Sequence, residues 1–169
     1  DVIVWNDFLF IGTCFSEDYR NYKTARTNEY AIEILKEYFP KKRIIDLELK
    51  KNDKIPYEGI LHLDCTFNPI GKDKCIIYKD GFVDESDYNL IIDIFGEENC
   101  FHVTAEEMFE MVPNIFSISP EVVVSDKAFT RMNEHLRNEW GMTVEEIPYR
   151  EISKMGGLLR CSTMPLVRD

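Results

Sequence analysis

The sequence predicts an α/β protein built as a propeller-like array of strand-strand-helix-strand units rather than a doubly wound sheet. Three observations lead there. Apolar residues switch between period two and period 3.6 in the same order three times along the chain. The helical stretches begin near positions 27, 86 and 129, an irregular repeat of roughly 45 to 60 residues. Each unit alone would leave an apolar face exposed, so neighbouring units must cover one another.

In the first unit, strands over 2–5 and 8–12 flank Asn6-Asp7, a two-residue hairpin signal. Residues 27–38 carry Ala31, Ile34, Leu35 and Tyr38 at helical spacing, Pro40 stops the helix, and 43–47 returns as a strand. The second unit has strands over 65–70 and 75–78 around a Gly71-Lys72-Asp73 turn. Its helix runs over 86–95 with Ser86 as N-cap and Gly96 as stop, and a strand over 100–103 follows. In the third, strands over 115–118 and 122–125 meet at Ser119-Pro120, a helix over 129–140 ends at Gly141, and 143–147 is a strand. A short helix over 149–155 is broken by Gly156-Gly157. Two longer connections, 50–58 and 104–114, are expected to be loops rimming a pocket.

Composition narrows the function. A hydrophobic content of 44% over 169 residues supports a real core, and a net charge of −11 argues against a surface that tracks phosphates, so nucleic acid is not an expected partner. The carboxylate excess reads as a solvated surface. No apolar run approaches a bilayer-spanning length of about 18 residues, so no membrane partner is expected. Five cysteines at scattered positions, without a C-x-x-C, read as reduced thiols of a cytoplasmic protein. The first residue is Asp, which leaves room for residues upstream. Homo-oligomerisation is compatible with the sequence.

Two residues stand out chemically. Cys161 follows Gly-Gly and precedes Ser-Thr-x-Pro, so the backbone around it can turn tightly and present amides to a reacting group. An isolated cysteine is more often a small packing residue. Polar Arg160, Ser162 and Thr163 are poor neighbours for that role. His62 and Asp64 alternate with Leu61 and Leu63, and in an extended segment they would share one face. An imidazole beside a carboxylate is oriented and has its cation favoured, which suits an acid/base, although a satisfied structural histidine reads equally well from the sequence. His102 and His135 lack such neighbours. Zinc is not expected: Asp64 and Cys65 would point to opposite faces of a strand, and no second histidine stands at ligand spacing. No phosphate-binding glycine loop is present.

Two motifs resemble a known family. Gly59-Ile60-Leu61-His62-Leu63-Asp64-Cys65-Thr66-Phe67-Asn68-Pro69-Ile70-Gly71, followed by Leu159-Arg160-Cys161-Ser162-Thr163-Met164-Pro165-Leu166, is similar to the amidinotransferase and arginine deiminase (pentein) superfamily, including its bacterial amidinotransferase-like members. The first motif is closer to glycine amidinotransferase and the second to arginine deiminase. Ala25-Arg26-Thr27-Asn28 and Asn114-Ile115-Phe116 add to the resemblance.

The resemblance implies a five-bladed α/β propeller of ββαβ modules. About three modules, near 1–48, 59–103 and 114–169, would form the C-terminal part of a single catalytic domain. It further implies that Cys161 attacks a guanidino or ureido carbon to give a covalent amidino intermediate. His62 would be the acid/base, and Asp64 and Arg160 would bind substrate, with no cofactor and no metal. Asp1 fits the second acid of an acid-x-x-Asp motif whose first acid would precede it. The expected partner is a small guanidino or ureido compound. The leading reading is a deiminase-type hydrolase; an amidinotransferase and a non-catalytic binding fragment are the alternatives.

Overall fold

The computed structural model describes residues 1–17 and 19–164, and Pro165 and Leu166 of the second motif lie outside them. Among the described residues are three three-stranded sheets, each with its strands in chain order. The first holds β1 (Val2–Trp5), β2 (Phe8–Thr13) and β3 (Arg43–Glu48), with helix α1 (Glu29–Tyr38) between the last two. The second holds β4 (Phe67–Ile70), β5 (Lys74–Ile77) and β6 (Cys100–His102), with α2 (Glu85–Phe95). In the third, β7 (Phe116–Ser117), β8 (Val122–Asp126) and β9 (Thr143–Ile147) accompany a helix at Thr130–Asn138. In every sheet the first pair is antiparallel and the second parallel. A tight turn can join only the antiparallel pair; the parallel pair needs a helical crossover. The predicted ββαβ repeat is therefore present three times.

Alternation along β2 shows how a module is layered. Leu9 and Ile11 face α1 and form a small cluster with Ile32, while Phe10, on the opposite face, enters the main core. That core runs through all three modules. Phe10 meets Phe67 edge to face at 5.0 Å, and Phe67 meets Phe95 at 5.7 Å, so the first two modules share an aromatic seam. Pro69 is tolerated because β4 is an edge strand of its sheet.

Several boundaries depart from expectation. Helix α1 begins at Glu29 rather than at 27, because Asn28 caps it, accepting a hydrogen bond from Ala31 N. The α2 cap is Asp84, which accepts from Ser86 N; Ser86 is already inside the helix. The connection over 104–114 contains a helix, α3 (Ala105–Phe109), because Thr104 and Glu107 form a reciprocal capping box. The helix at Thr130–Asn138 is thus α4. Residues Arg150–Met155 form a 3-10 helix that ends at Gly156 with φ +84°. The segment before β4 is not a strand: Leu63–Cys65 is a turn of 3-10 helix. No helix among the described residues is long and apolar enough to cross a membrane.

Candidate active site

Two turns build the site. The first is Leu63–Cys65, with His62 at its N-terminal cap position in extended conformation and Thr66 closing it. Leu63 and Cys65 are inserted into the core at 0% and 1% exposure, which anchors the turn and leaves His62 and Asp64 on its outer side. Asp1 Oδ1 accepts from Leu63 N at 3.1 Å, gripping the peptide between the two polar residues. Lys51, half-buried, donates to the carbonyls of Ile60 (2.9 Å) and Leu61 (3.1 Å), and its desolvation pushes the ammonium down to about 8.

The second turn carries Cys161. Leu158 and Leu159 are driven into the core, and Cys161 stays exposed. Gly157 is required there: a Cβ at this position would stand 2.9 Å from Cys161 Cβ. Asn114, wholly buried just before β7, ties the turn down. Its Oδ1 accepts from the backbone N–H groups of Leu158 (3.1 Å), Arg160 (3.1 Å) and Cys161 (3.3 Å). Its Nδ2 donates to Cys161 Sγ at 3.3 Å and to Asp64 O at 3.4 Å.

The turns meet so that His62, Asp64 and Cys161 each place one reactive atom within 4.8 Å of the others. Cys161 Sγ lies 3.7 Å from Asp64 Oδ2. The expected partners converge, but not for the expected reason. In a 3-10 turn the alternation of a strand does not apply; the extended cap residue and the following turn bring His62 and Asp64 together. The strand argument against a metal lapses with it, and the trio is also a set of metal-ligand types.

The protonation of the site follows from burial. The His62 imidazolium is disfavoured by desolvation, against the attraction of Asp64, so its pKa is lowered rather than raised. Arg26, from the segment before α1, acts in the same direction as burial. Burial, and next the Asp64 carboxylate, push the Cys161 thiol up, with the Asn114 amide opposing. At rest the proton therefore belongs on sulfur and the imidazole is a neutral acceptor. Arg160 donates from Nη1 to Asn68 Oδ1 at 3.2 Å, and its Nε lies 3.9 Å from Asp64 Oδ2.

The two long connections line a cavity of about 760 Å³, Asn52, Asp53 and Tyr57 on one side and Phe109 and Glu110 on the other. Tyr57 and Phe109, both in its lining, stack on one another at 4.1 Å. Its lining includes Leu61 and Cys65, which bracket the His62-Asp64 pair in the chain. Asn114 and Arg26 were visible in the sequence only as parts of supporting segments. An Asn directly before an apolar strand, or an Arg within Ala-Arg-Thr-Asn, carries no signal of the turn it will meet in space.

The arginine deiminase family model matches residues 79–168, just over half of the chain. The protein YkgA of Bacillus subtilis (strain 168) is 30% identical over 169 residues, covering 99% of this chain and 51% of that protein. The chain thus spans about half the length of this curated relative. Among solved structures, the N-terminal domain of ArgZ, an arginine dihydrolase from the ornithine-ammonia cycle in cyanobacteria, superposes with a TM-score of 0.79 at 19% identity, over 99% of this chain and 55% of that one. SxtG, an amidinotransferase from Microseira wollei in the saxitoxin biosynthetic pathway, gives 0.73 at 17% identity, over 99% and 44%. These two likenesses speak to the fold, which is that of the pentein modules. With its three ββαβ modules and the family match over its second half, the chain belongs to the arginine deiminase family, within the amidinotransferase and arginine deiminase superfamily.

Proposed function

We propose that the protein attacks the guanidino or ureido carbon of arginine or a related compound through Cys161, as a deiminase-type hydrolase. The observation that carries this reading is the convergence of Cys161, His62 and Asp64 within 4.8 Å on two separately anchored turns. A cationic guanidinium lodged against Asp64 forms charge-assisted hydrogen bonds to it and offsets the carboxylate that holds the thiol up. Proton transfer from sulfur to the neutral His62 then becomes favourable. The thiolate forms a C–S bond, the resulting imidazolium returns the proton to the departing amine as the C–N bond breaks, and a covalent amidino intermediate remains. His62, again neutral, takes a proton from water, the new hydroxide attacks the same carbon, the C–S bond breaks to release product, and the His62 proton returns to the thiolate to restore the resting thiol and neutral imidazole. Arg160, anchored by Asn68 beside Asp64, completes the substrate side of the site.

In this reading the three modules, 1–48, 59–103 and 114–169, belong to the C-terminal part of a single propeller domain, and the substrate is a small guanidino or ureido molecule. An amidinotransferase is the second reading, favoured by the run His62-Leu63-Asp64-Cys65-Thr66-Phe67-Asn68 and by the likeness to SxtG. It differs in which C–N bond breaks first, the one to the side-chain nitrogen so that ornithine rather than ammonia departs, and in what then attacks the amidino intermediate, an acceptor amine instead of water. The test is incubation of the full-length protein with arginine, with and without glycine, following ammonia, citrulline and ornithine. Ammonia and citrulline without an acceptor support hydrolysis; ornithine appearing only when glycine is present overturns it in favour of transfer.

A further inference from the structure

Asn114 is separated from the reactive residues by long stretches of chain, yet it touches both turns. Its surroundings fix which way the amide faces. Three backbone N–H groups converge on one end of the side chain, so that end must be the carbonyl oxygen. The NH₂ end is then directed at Cys161 Sγ and the Asp64 carbonyl. Asn114 is itself held from behind. Asn68, 1% exposed, donates to Pro113 O at 2.7 Å and to Ile115 O at 3.0 Å, the carbonyls on either side of it. Met111, at φ 66°, turns the chain into this position, and Asn114 N bonds Met111 O at 2.9 Å.

We propose that Asn114 is a further catalytic group of this site: its side-chain amide donates a hydrogen bond that stabilises the Cys161 thiolate, while its carbonyl oxygen holds the nucleophile turn in register with His62 and Asp64. The two functions are inseparable in a planar amide. A thiol gains little from an N–H donor, and a thiolate gains much more, because hydrogen bonds to ionised groups are roughly twice as strong as neutral ones. The donor therefore acts when the proton leaves sulfur, the first event in the proposed chemistry. No charge is introduced, so Asn114 supports the anion without repelling a guanidinium cation. A lysine in its place would do the first and fail at the second.

The inference rests on Cys161 being the nucleophile, and it is tested without turnover. In the full-length protein, the rate of Cys161 alkylation by iodoacetamide is measured against pH for the parent, Asn114→Asp and Asn114→Ala. Asn114→Asp keeps an acceptor for the three N–H groups and loses the donor; Asn114→Ala loses both without adding charge. Expected is a displacement of the alkylation profile to higher pH in both variants, with a fall in rate at pH 8 of about tenfold, the effect of one unit in a thiol pKa. A shift in Asn114→Asp alone would mean charge repulsion only and overturn the proposal, as would a shift in Asn114→Ala alone or in neither. A turn that is merely displaced outward would take Cys161 away from Asp64 and relieve its burial, and so carry the profile to lower pH, opposite to the expected shift. If a variant fails to fold, the parent decides: the Asn114 side-chain ¹⁵N–¹H₂ resonances must titrate with Cys161, and invariance overturns the assignment. Parent protein that shows the thiol behaviour but no guanidino turnover would instead sink the proposed function and leave this inference standing.

Discussion

Cys65 and Cys161 flank the same carboxylate at nearly the same distance, 3.8 Å from Asp64 Oδ1 and 3.7 Å from Asp64 Oδ2. Desolvation first and Asp64 next raise both thiols, but their access to solvent and their other partners differ. Cys65 is 1% exposed, sits against the thioether of Met111 at 3.5 Å, and is held far up as a thiol by burial. Cys161 is exposed and receives an amide donor at 3.3 Å. Proximity to Asp64 is common to both thiols; access and a donor for the anion are what set Cys161, the proposed nucleophile, apart.

The largest effects should come from exchanging the two thiols. Cys161→Ser is expected to lower kcat by about 10³-fold or more, since removing a nucleophile disables the whole unit. Cys65→Ala should leave kcat within a few-fold and be felt in stability, by about 1–3 kcal/mol for a buried side chain reduced in volume. Steady-state kinetics and thermal melts of both variants check this. Turnover that survives in Cys161→Ser and vanishes in Cys65→Ala would reverse the comparison.

His62→Gln is expected to be next, with kcat lower by about 10²–10⁴-fold, the usual range for a general acid/base. Asp64→Asn should follow and is more diagnostic. The carboxylate raises the Cys161 thiol, so its neutralisation should shift alkylation of the unliganded protein to lower pH and make it faster at neutral pH. Turnover should nonetheless fall by about 10- to 100-fold, through loss of the charge-assisted bonds to substrate. A thiol that becomes more reactive as the enzyme becomes slower is the signature of a carboxylate that serves the substrate. Slower alkylation together with slower turnover would place Asp64 in a structural role.

The fold was largely legible because it rests on local periodicity. Strands at Val2–Trp5 and Thr143–Ile147, the stop at Gly96 and the three ββαβ passes each need only a few neighbouring residues to declare themselves. The site was legible in part. His62, Asp64 and Cys161 were identified through motifs, and the structure brings them together. The geometry assigned to His62 and Asp64 was wrong because Leu61-His62-Leu63-Asp64 alternates like a strand. What decides that conformation is the burial of Leu63 and Cys65 against distant modules and the grip of Asp1 on Leu63 N. The expected preference for a charged His62 failed for a related reason. A neighbouring carboxylate is visible in sequence; the desolvation that outweighs it is not. The helix in 104–114 was there to be read, since Thr104 and Glu107 have the capping-box spacing.

The smallest expected effect concerns stability and separates the two sides of the site once more, because His62 belongs to the Cys161 side of Asp64. Burial lowers the His62 pKa below its ordinary 6.5, so the folded protein holds this imidazole neutral while the unfolded chain still binds the proton. Above 6.5 the imidazole is neutral in both states and has no pH-dependent effect. As pH falls below 6.5 the unfolded chain takes up the proton first, and stability declines until the folded protein also protonates, after which the difference is constant. Other groups titrate in the same range, and comparison with His62→Gln cancels those that the substitution leaves alone. Denaturant midpoints of the two proteins should run parallel above about pH 7 and approach or cross only on the acid side. The same slope in both below pH 6.5 would show that burial does not control His62, and the neutral acceptor for the Cys161 proton would lose its physical basis.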